Sequence, residues 1–206
     1  MFPILIALFQ IALELSAQNA VKVFNTFIDY TNQNPKTCSS VIVERRTQGD
    51  IFMSGGNDYK IYSIDKTLSK DIKKVFWGIE CNDSLFVNCF HHKLGFWYAY
   101  AEKIGERLFL KASITLDKEQ QQKMAMTSYA LGPIGGGISA GKLAQLRYYY
   151  NIDLTTGEIT YLSKKKMLEF IAKFPILVEQ YDLEPKPEDI NILRKYLEEY
   201  KTLSNE

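Results

Sequence analysis

Histidine is almost missing from this sequence: 206 residues hold two, the adjacent His91 and His92, beside three cysteines, Cys38, Cys81 and Cys89. Adjacent strand residues point to opposite faces, so the two imidazoles would converge on one metal only where a strand ends. No metal centre and no cofactor is therefore expected. Neither sign of charge is in excess, with 25 Lys and Arg against 24 Asp and Glu and a formal net charge of +1. A surface that tracks nucleic-acid phosphates needs a basic excess on one face. Apart from the run Lys164, Lys165, Lys166 the charges are interspersed, so nucleic acid is not an expected partner. Ser84 and Ser139 lack the Gly-x-Ser-x-Gly frame of a hydrolase nucleophile. The apolar stretch from Ile4 to Leu13, broken by Gln10, falls short of the roughly 20 residues that span a bilayer.

What the sequence does have is aromatic rings, 13 Tyr and 12 Phe, which favour half-buried pleated strands. Hydrophobic residues at 46% and charged residues at 24% are ordinary for a folded chain, and the length suits one domain. The N-terminal apolar stretch is followed by Glu14-Leu15-Ser16-Ala17-Gln18, with small residues where a signal peptidase cuts. Residues 1–18 are accordingly expected to be a signal peptide and 19–206 a single exported domain, periplasmic, outer-membrane-associated or extracellular. The missing Lys or Arg after Met1 departs from that pattern, and a buried first helix is the plain alternative. In an oxidising compartment three cysteines leave at least one unpaired. A Cys81–Cys89 disulfide and a pair of buried thiols both remain open.

Runs rich in β-branched and aromatic residues recur at Val41–Arg45, Tyr59–Ile64, Val75–Glu80, Leu85–Phe90, Phe96–Ala101 and Arg107–Ala112, separated by turn residues such as Gly55-Gly56-Asn57-Asp58 and Asn82-Asp83-Ser84. Arg147–Asp153 and Glu158–Leu162 read as a hairpin around Gly157. Asp117 and Gln120 form a capping box for a helix that the following Met126–Leu131 could equally replace with extended chain. From about residue 164 the period becomes helical: Met167, Phe170, Ile171 and Phe174 form one stripe, and Ile190, Leu193, Leu197 and Tyr200 another behind an acidic first turn of Glu188 and Asp189. Strands first and helices last predict an α+β fold, an antiparallel β-meander sheet or partly open barrel followed by C-terminal helices.

The leader ending Leu15-Ser16-Ala17-Gln18, Trp77-Gly78-Ile79, Cys81-Asn82-Asp83-Ser84-Leu85, the glycines from Gly132 to Gly141, and Arg147-Tyr148-Tyr149-Tyr150 with Asp153-Leu154-Thr155-Thr156-Gly157 form a set of stretches. Together they resemble a family of uncharacterised exported proteins of Bacteroidota. The resemblance implies export and one domain, and it implies no activity, cofactor or partner.

Gly136-Gly137-Ile138-Ser139-Ala140-Gly141-Lys142 has the spacing of a phosphate-binding loop, but Leu143 stands where a Ser or Thr would hold Mg²⁺. The same segment sets a small residue at every fourth position, Gly132, Gly136, Ala140 and Ala144. That pattern suits close packing, a mobile glycine loop, or peripheral membrane attachment through residues 130–144. Cys89, His91 and His92 are the candidates for a hydrolase-like enzyme, with Cys89 and His91 on one strand face. Asp65, Asp71, Asp83 and Asp153 sit at turns, where Asp caps local backbone. In the Tyr148-Tyr149-Tyr150 run at least one ring is expected at the surface. The expected function is a non-enzymatic binding or interaction protein with a protein or glycan partner in the cell envelope.

Overall fold

In the computed structural model, which describes residues 21–113 and 141–204, strands form where β-branched and aromatic residues gather. The expected leader, the Asp117–Gln120 capping box, the Met126–Leu131 stretch and the glycines before Gly141 lie outside the described residues. The strands are β1 Val21–Phe24, β2 Lys36–Cys38, β3 Val41–Arg45, β4 Tyr59–Ser63, β5 Gly78–Cys81, β6 Ser84–Asn88, β7 Tyr98–Ile104, β8 Arg107–Ala112, β9 Tyr148–Asp153 and β10 Ile159–Tyr161. Between them lie helices α1 Phe27–Thr31, α2 Gln48–Ser54 and α3 Lys66–Lys74, and after them α4 Lys164–Ile171, α5 Pro175–Asp182 and α6 Ile190–Ser204.

The ten strands make one antiparallel sheet in the order β10-β9-β8-β7-β6-β5-β1-β2, with the β3–β4 hairpin joined to β7 through Tyr59 and Tyr98. The sheet is open, since β10 and β2 end the path without pairing each other. The α+β class expected from the sequence is the observed one. The sequence reading misses the three early helices, each of which starts on a local cap. Thr26 with Asp29 and Thr47 with Asp50 form reciprocal capping boxes, and the Asp65 carboxylate accepts from the amides of Thr67 and Leu68. Three expected strands have other bounds than their apolar runs. Val75 belongs to the end of α3, the Asn88 side chain accepts from the Phe90 amide and ends β6, and β7 starts at Tyr98. Glu188 and Asp189 precede α6 and do not form its first turn: Asp189 caps it by accepting from Asn191, while Glu188 accepts from the Lys164 amide at the start of α4.

Alternation along the strands sorts their side chains onto two faces. Val87, Ala99, Ala101, Leu108, Leu110, Tyr150 and Ile152 face a core shared with Phe24, Tyr30 and Trp77. On the other face, Val23, Ile79, Phe86 and Tyr98 are covered by α3 and the β3–β4 hairpin through Ile72 and Ile61. Further along that face, Phe109 and Tyr149 lie beneath the C-terminal helices, packed with Met167, Ile171, Tyr181, Leu193 and Tyr196. The tyrosine run differs from the expectation of an exposed ring: Tyr149 and Tyr150 are buried on opposite faces and Tyr148 is half-buried, because both faces of β9 are covered. The sheet also curls far enough for the β9–β10 turn to meet α1. Gly157, at φ +74°, sits so close to Phe27 that an added Cβ would lie 2.7 Å from its ring.

Gly157→Ala is expected to cost about 1–3 kcal/mol, from left-handed strain plus the clash, read as the midpoint of urea unfolding. In a Phe27→Ala background the same change costs less, because the obstructing ring is gone. An equal cost in both backgrounds would mean that the turn does not close on α1.

Candidate functional site

Cys89 and His91 do not share a strand face, because Cys89–His92 forms a 3-10 turn after β6. The Cys89 thiol is fully buried in the inner core, where desolvation pushes its pKa far up and disfavours the thiolate that nucleophilic chemistry requires. His91 is exposed with its ring against Phe90, whereas His92 turns inward, edge-on to Trp77 at 6.3 Å. All three cysteines are free, and the Cys81–Cys89 disulfide is not formed: Cys81 packs with the α3 side of the sheet and Cys89 with the other. Among the described residues no group of three His, Cys, Asp or Glu is placed to hold a metal ion.

The residues that do gather around a cavity were not singled out by sequence. A cleft of about 360 Å³ is lined by Ser54, Ile61, Asn88 and Tyr98 at its base, by Lys73 and Lys74 of α3 on one wall, and by Phe90, Phe96 and Trp97 on the other. Phe90 and Phe96 stand at the mouth as a near-parallel pair, 47% and 67% exposed, with ring centroids 6.4 Å apart. Two cations lie near Trp97, the Arg46 guanidinium 5.6 Å and the Lys73 ammonium 6.0 Å from its ring.

Two polar side chains in the base anchor the lysine wall. A helix leaves its last carbonyls unpaired. Here the Asn88 amide donates to the carbonyls of Ile72 and Phe76, and the Tyr98 hydroxyl donates to the Ile72 carbonyl. Both side chains are about 1% exposed, so they ration no solvent contact and set the position of the α3 terminus. Lys73 and Lys74 complete that terminus, where the helix dipole favours positive charge.

The aromatic wall is pinned from beneath. Asn57 is wholly buried; its side-chain amide donates to the carbonyls of Leu94 and Phe96, and its own oxygen accepts from the Ser113 amide. Ser113 Oγ donates to the Leu94 carbonyl as well. Arg46 donates to the carbonyls of Gly55, Asn57 and Asp50 and to Ser54 Oγ, holding the turn that carries Asn57. Arg147 closes the same turn from the other side through Asp58 and the Gly56 carbonyl. Any other residue at Gly56 would be strained: its φ is +79° and an added Cβ would lie 2.6 Å from the Trp97 ring. Trp97 itself is held at φ +73°, a region bulky residues seldom occupy.

The described end of the glycine-rich segment is used for packing. Residues 141–145 are helical, Gly141 lies flush against the Phe52 ring of α2, and Gln145 donates to the Gln48 carbonyl. Asp65 and Asp153 cap local backbone as expected, Asp65 on α3 and Asp153 through the amides of Thr155 and Thr156.

Burial, and to a smaller degree the neighbouring His91, lower the His92 pKa to about 4. The unfolded chain, with an ordinary His pKa, takes up this proton first as the pH falls. The contribution of His92 is therefore complete above about pH 6.5 and is lost between about pH 6.5 and 4, up to about 3 kcal/mol. His92→Gln should flatten that part of the stability profile, measured as urea midpoints from about pH 7 to 4.5. A profile unchanged by the substitution would show that His92 is not buried as described.

A protein-family model described as a family of unknown function matches residues 22–204, spanning both the sheet and the C-terminal helices. No curated protein and no solved structure matches the chain. With that match covering nearly all of its length, the chain belongs to the family of unknown function DUF6563.

Proposed function

We propose that this is an exported, non-enzymatic binding domain whose ligand, a glycan or protein component of the cell envelope, seats in the cleft between α3 and the Cys89–Tyr98 loop. The observation that carries the reading is the pair of exposed rings, Phe90 and Phe96, held beside Trp97 at the mouth of a 360 Å³ cavity. Large apolar side chains left in water around a concave site, with a few polar groups at its base, are the usual composition of a ligand pocket. The positive φ of Trp97 and the wholly buried Asn57 beneath the loop support the same view, since strained backbone is retained where the surroundings over-determine it. The dispersal of Cys89, His91 and His92, none of which lines the cleft, favours binding over the hydrolase-like alternative. The contact of Gly141 with Phe52 favours packing over membrane attachment for its end of the 130–144 segment.

Export rests on the leader-like residues 1–18 and on the resemblance to exported Bacteroidota proteins. Expression of the full chain in a Bacteroidota host is expected to yield a mature protein starting at Asn19, read by N-terminal sequencing of the envelope and culture fractions. An intact Met1 on the folded protein would end the export reading.

The cleft is tested with the neutral dye Nile red, whose fluorescence rises in apolar sites. Saturable binding is expected, weakened about tenfold in Phe90→Ala/Phe96→Ala, with little change in Tm because both rings are exposed. Binding that is unsaturable, or unaffected by the double substitution, would remove the basis for the cleft as the site.

A further inference from the structure

Several lysines elsewhere on this molecule are paired, Lys22 with Glu80, Lys60 with Glu44, Lys164 with Asp182, Lys166 with Glu169, Lys195 with Glu184 and Lys201 with Glu102, while others such as Lys36 and Lys103 have no carboxylate within ion-pair distance among the described residues. Those on α3 are set apart by their clustering. Lys66, Lys70, Lys73 and Lys74 follow one another at helical spacing, so they share an arc of about 100° on one side of α3. Among the described residues, none of the four has a carboxylate within ion-pair distance. The Asp65 carboxylate is used to cap the helix, and Asp71 lies outside the arc. Like charges four residues apart on a helix repel, and Lys66 near the N-terminus also opposes the dipole. Lys73 and Lys74 are accounted for by the helix terminus; Lys66 and Lys70 have no such explanation.

These four lysines, with Ser63 and Ser69, line a second, open hollow of about 320 Å³. It shares Lys73 and Lys74 with the aromatic cleft, so these two side chains border both hollows. From Lys66 to Lys74 the basic shelf runs about 12 Å, enough for more than one phosphate group. At the aromatic end, the Lys73 ammonium lies 6.0 Å from the Trp97 ring. That spacing suits a ring stacked on the aromatic wall with its phosphate on the adjoining lysines.

We propose that the cleft and the lysine shelf together form one site for a phosphate-bearing ring compound, its ring against Phe90, Phe96 and Trp97 and its phosphate on Lys66, Lys70, Lys73 and Lys74. The proposal rests on the cleft being the binding site and adds the chemistry of the occupant. A sugar phosphate and a nucleoside phosphate share that chemistry and differ in the ring. The near-neutral total charge hides the patch, because the acidic residues that balance it lie outside the arc.

Isothermal titration calorimetry of the full chain with glucose 1-phosphate, uridine diphosphate, uridine and inorganic pyrophosphate tests it. At least one ring phosphate is expected to bind at about millimolar Kd or tighter, more tightly than pyrophosphate, with uridine far weaker. The ring phosphate that binds identifies the ring. Binding should fall about tenfold in Lys66→Ala/Lys70→Ala and fall again as NaCl rises from about 0.05 to 0.5 M. Both lysines are solvent-exposed and alanine favours helix, so the variant folds. It should bind Nile red unchanged, because neither residue lines the aromatic cleft. Retained Nile red binding with no ring-phosphate binding, or with ring-phosphate binding indifferent to the lysines, overturns this inference and leaves the cleft intact. Loss of Nile red binding by the wild-type chain overturns the cleft itself.

Discussion

A single wholly buried amide, that of Asn57, determines where the aromatic wall of the cleft stands. A buried amide left without partners costs on the order of 1–3 kcal/mol, so its surroundings must present acceptors and a donor in fixed positions. Those partners are the Leu94 and Phe96 carbonyls and the Ser113 amide, which belong to segments 37 or more residues away in the chain. Satisfying one side chain therefore joins the β3–β4 connection, the loop before β7 and the end of β8. Arg46 and Arg147 hold the turn that carries it, each through several oxygens. Given that network, Phe96 and Trp97 have little freedom to retreat into the core, and their rings remain at the cleft mouth.

The opposite wall follows from a second set of orphan groups. The carbonyls at the end of α3 lie where water is excluded, and Asn88 and Tyr98 supply the donors. Both belong to the central strands, so the helix and its lysines are placed relative to the sheet by hydrogen bonds and by Ile72 packed beneath them. The two walls thus meet at β6 and β7, which pair directly, Asn88 opposite Tyr98. A cleft built on paired central strands keeps its dimensions, as a site that binds by fit requires.

Parts of this arrangement were legible in the residues. The C-terminal helices follow from the Met167–Phe174 and Ile190–Tyr200 stripes, and the β9–β10 hairpin from Gly157. The early helices escape such a reading because they are five, seven and nine residues long. Helices that short show too few turns for periodicity and declare themselves only through their caps. The Cys89–His91 pairing failed for a related reason: Asn88 accepts from the Phe90 amide and curls the chain into a 3-10 turn, so strand alternation no longer applies. Trp97 and Phe96 read as ordinary strand aromatics, since burial and exposure are properties of the assembled sheet.

By itself the sequence determined the class of fold, because hydrophobic period and turn residues are local and each segment carries its own. It determined the caps as well, since Thr26, Thr47, Asp65 and Ser163 act within three residues of themselves. Only the tertiary structure decided the site. Asn57, Lys73, Asn88 and Trp97 lie on four different segments of the chain, and what gives them a role is the hydrogen bonding and cation–ring contact that folding creates.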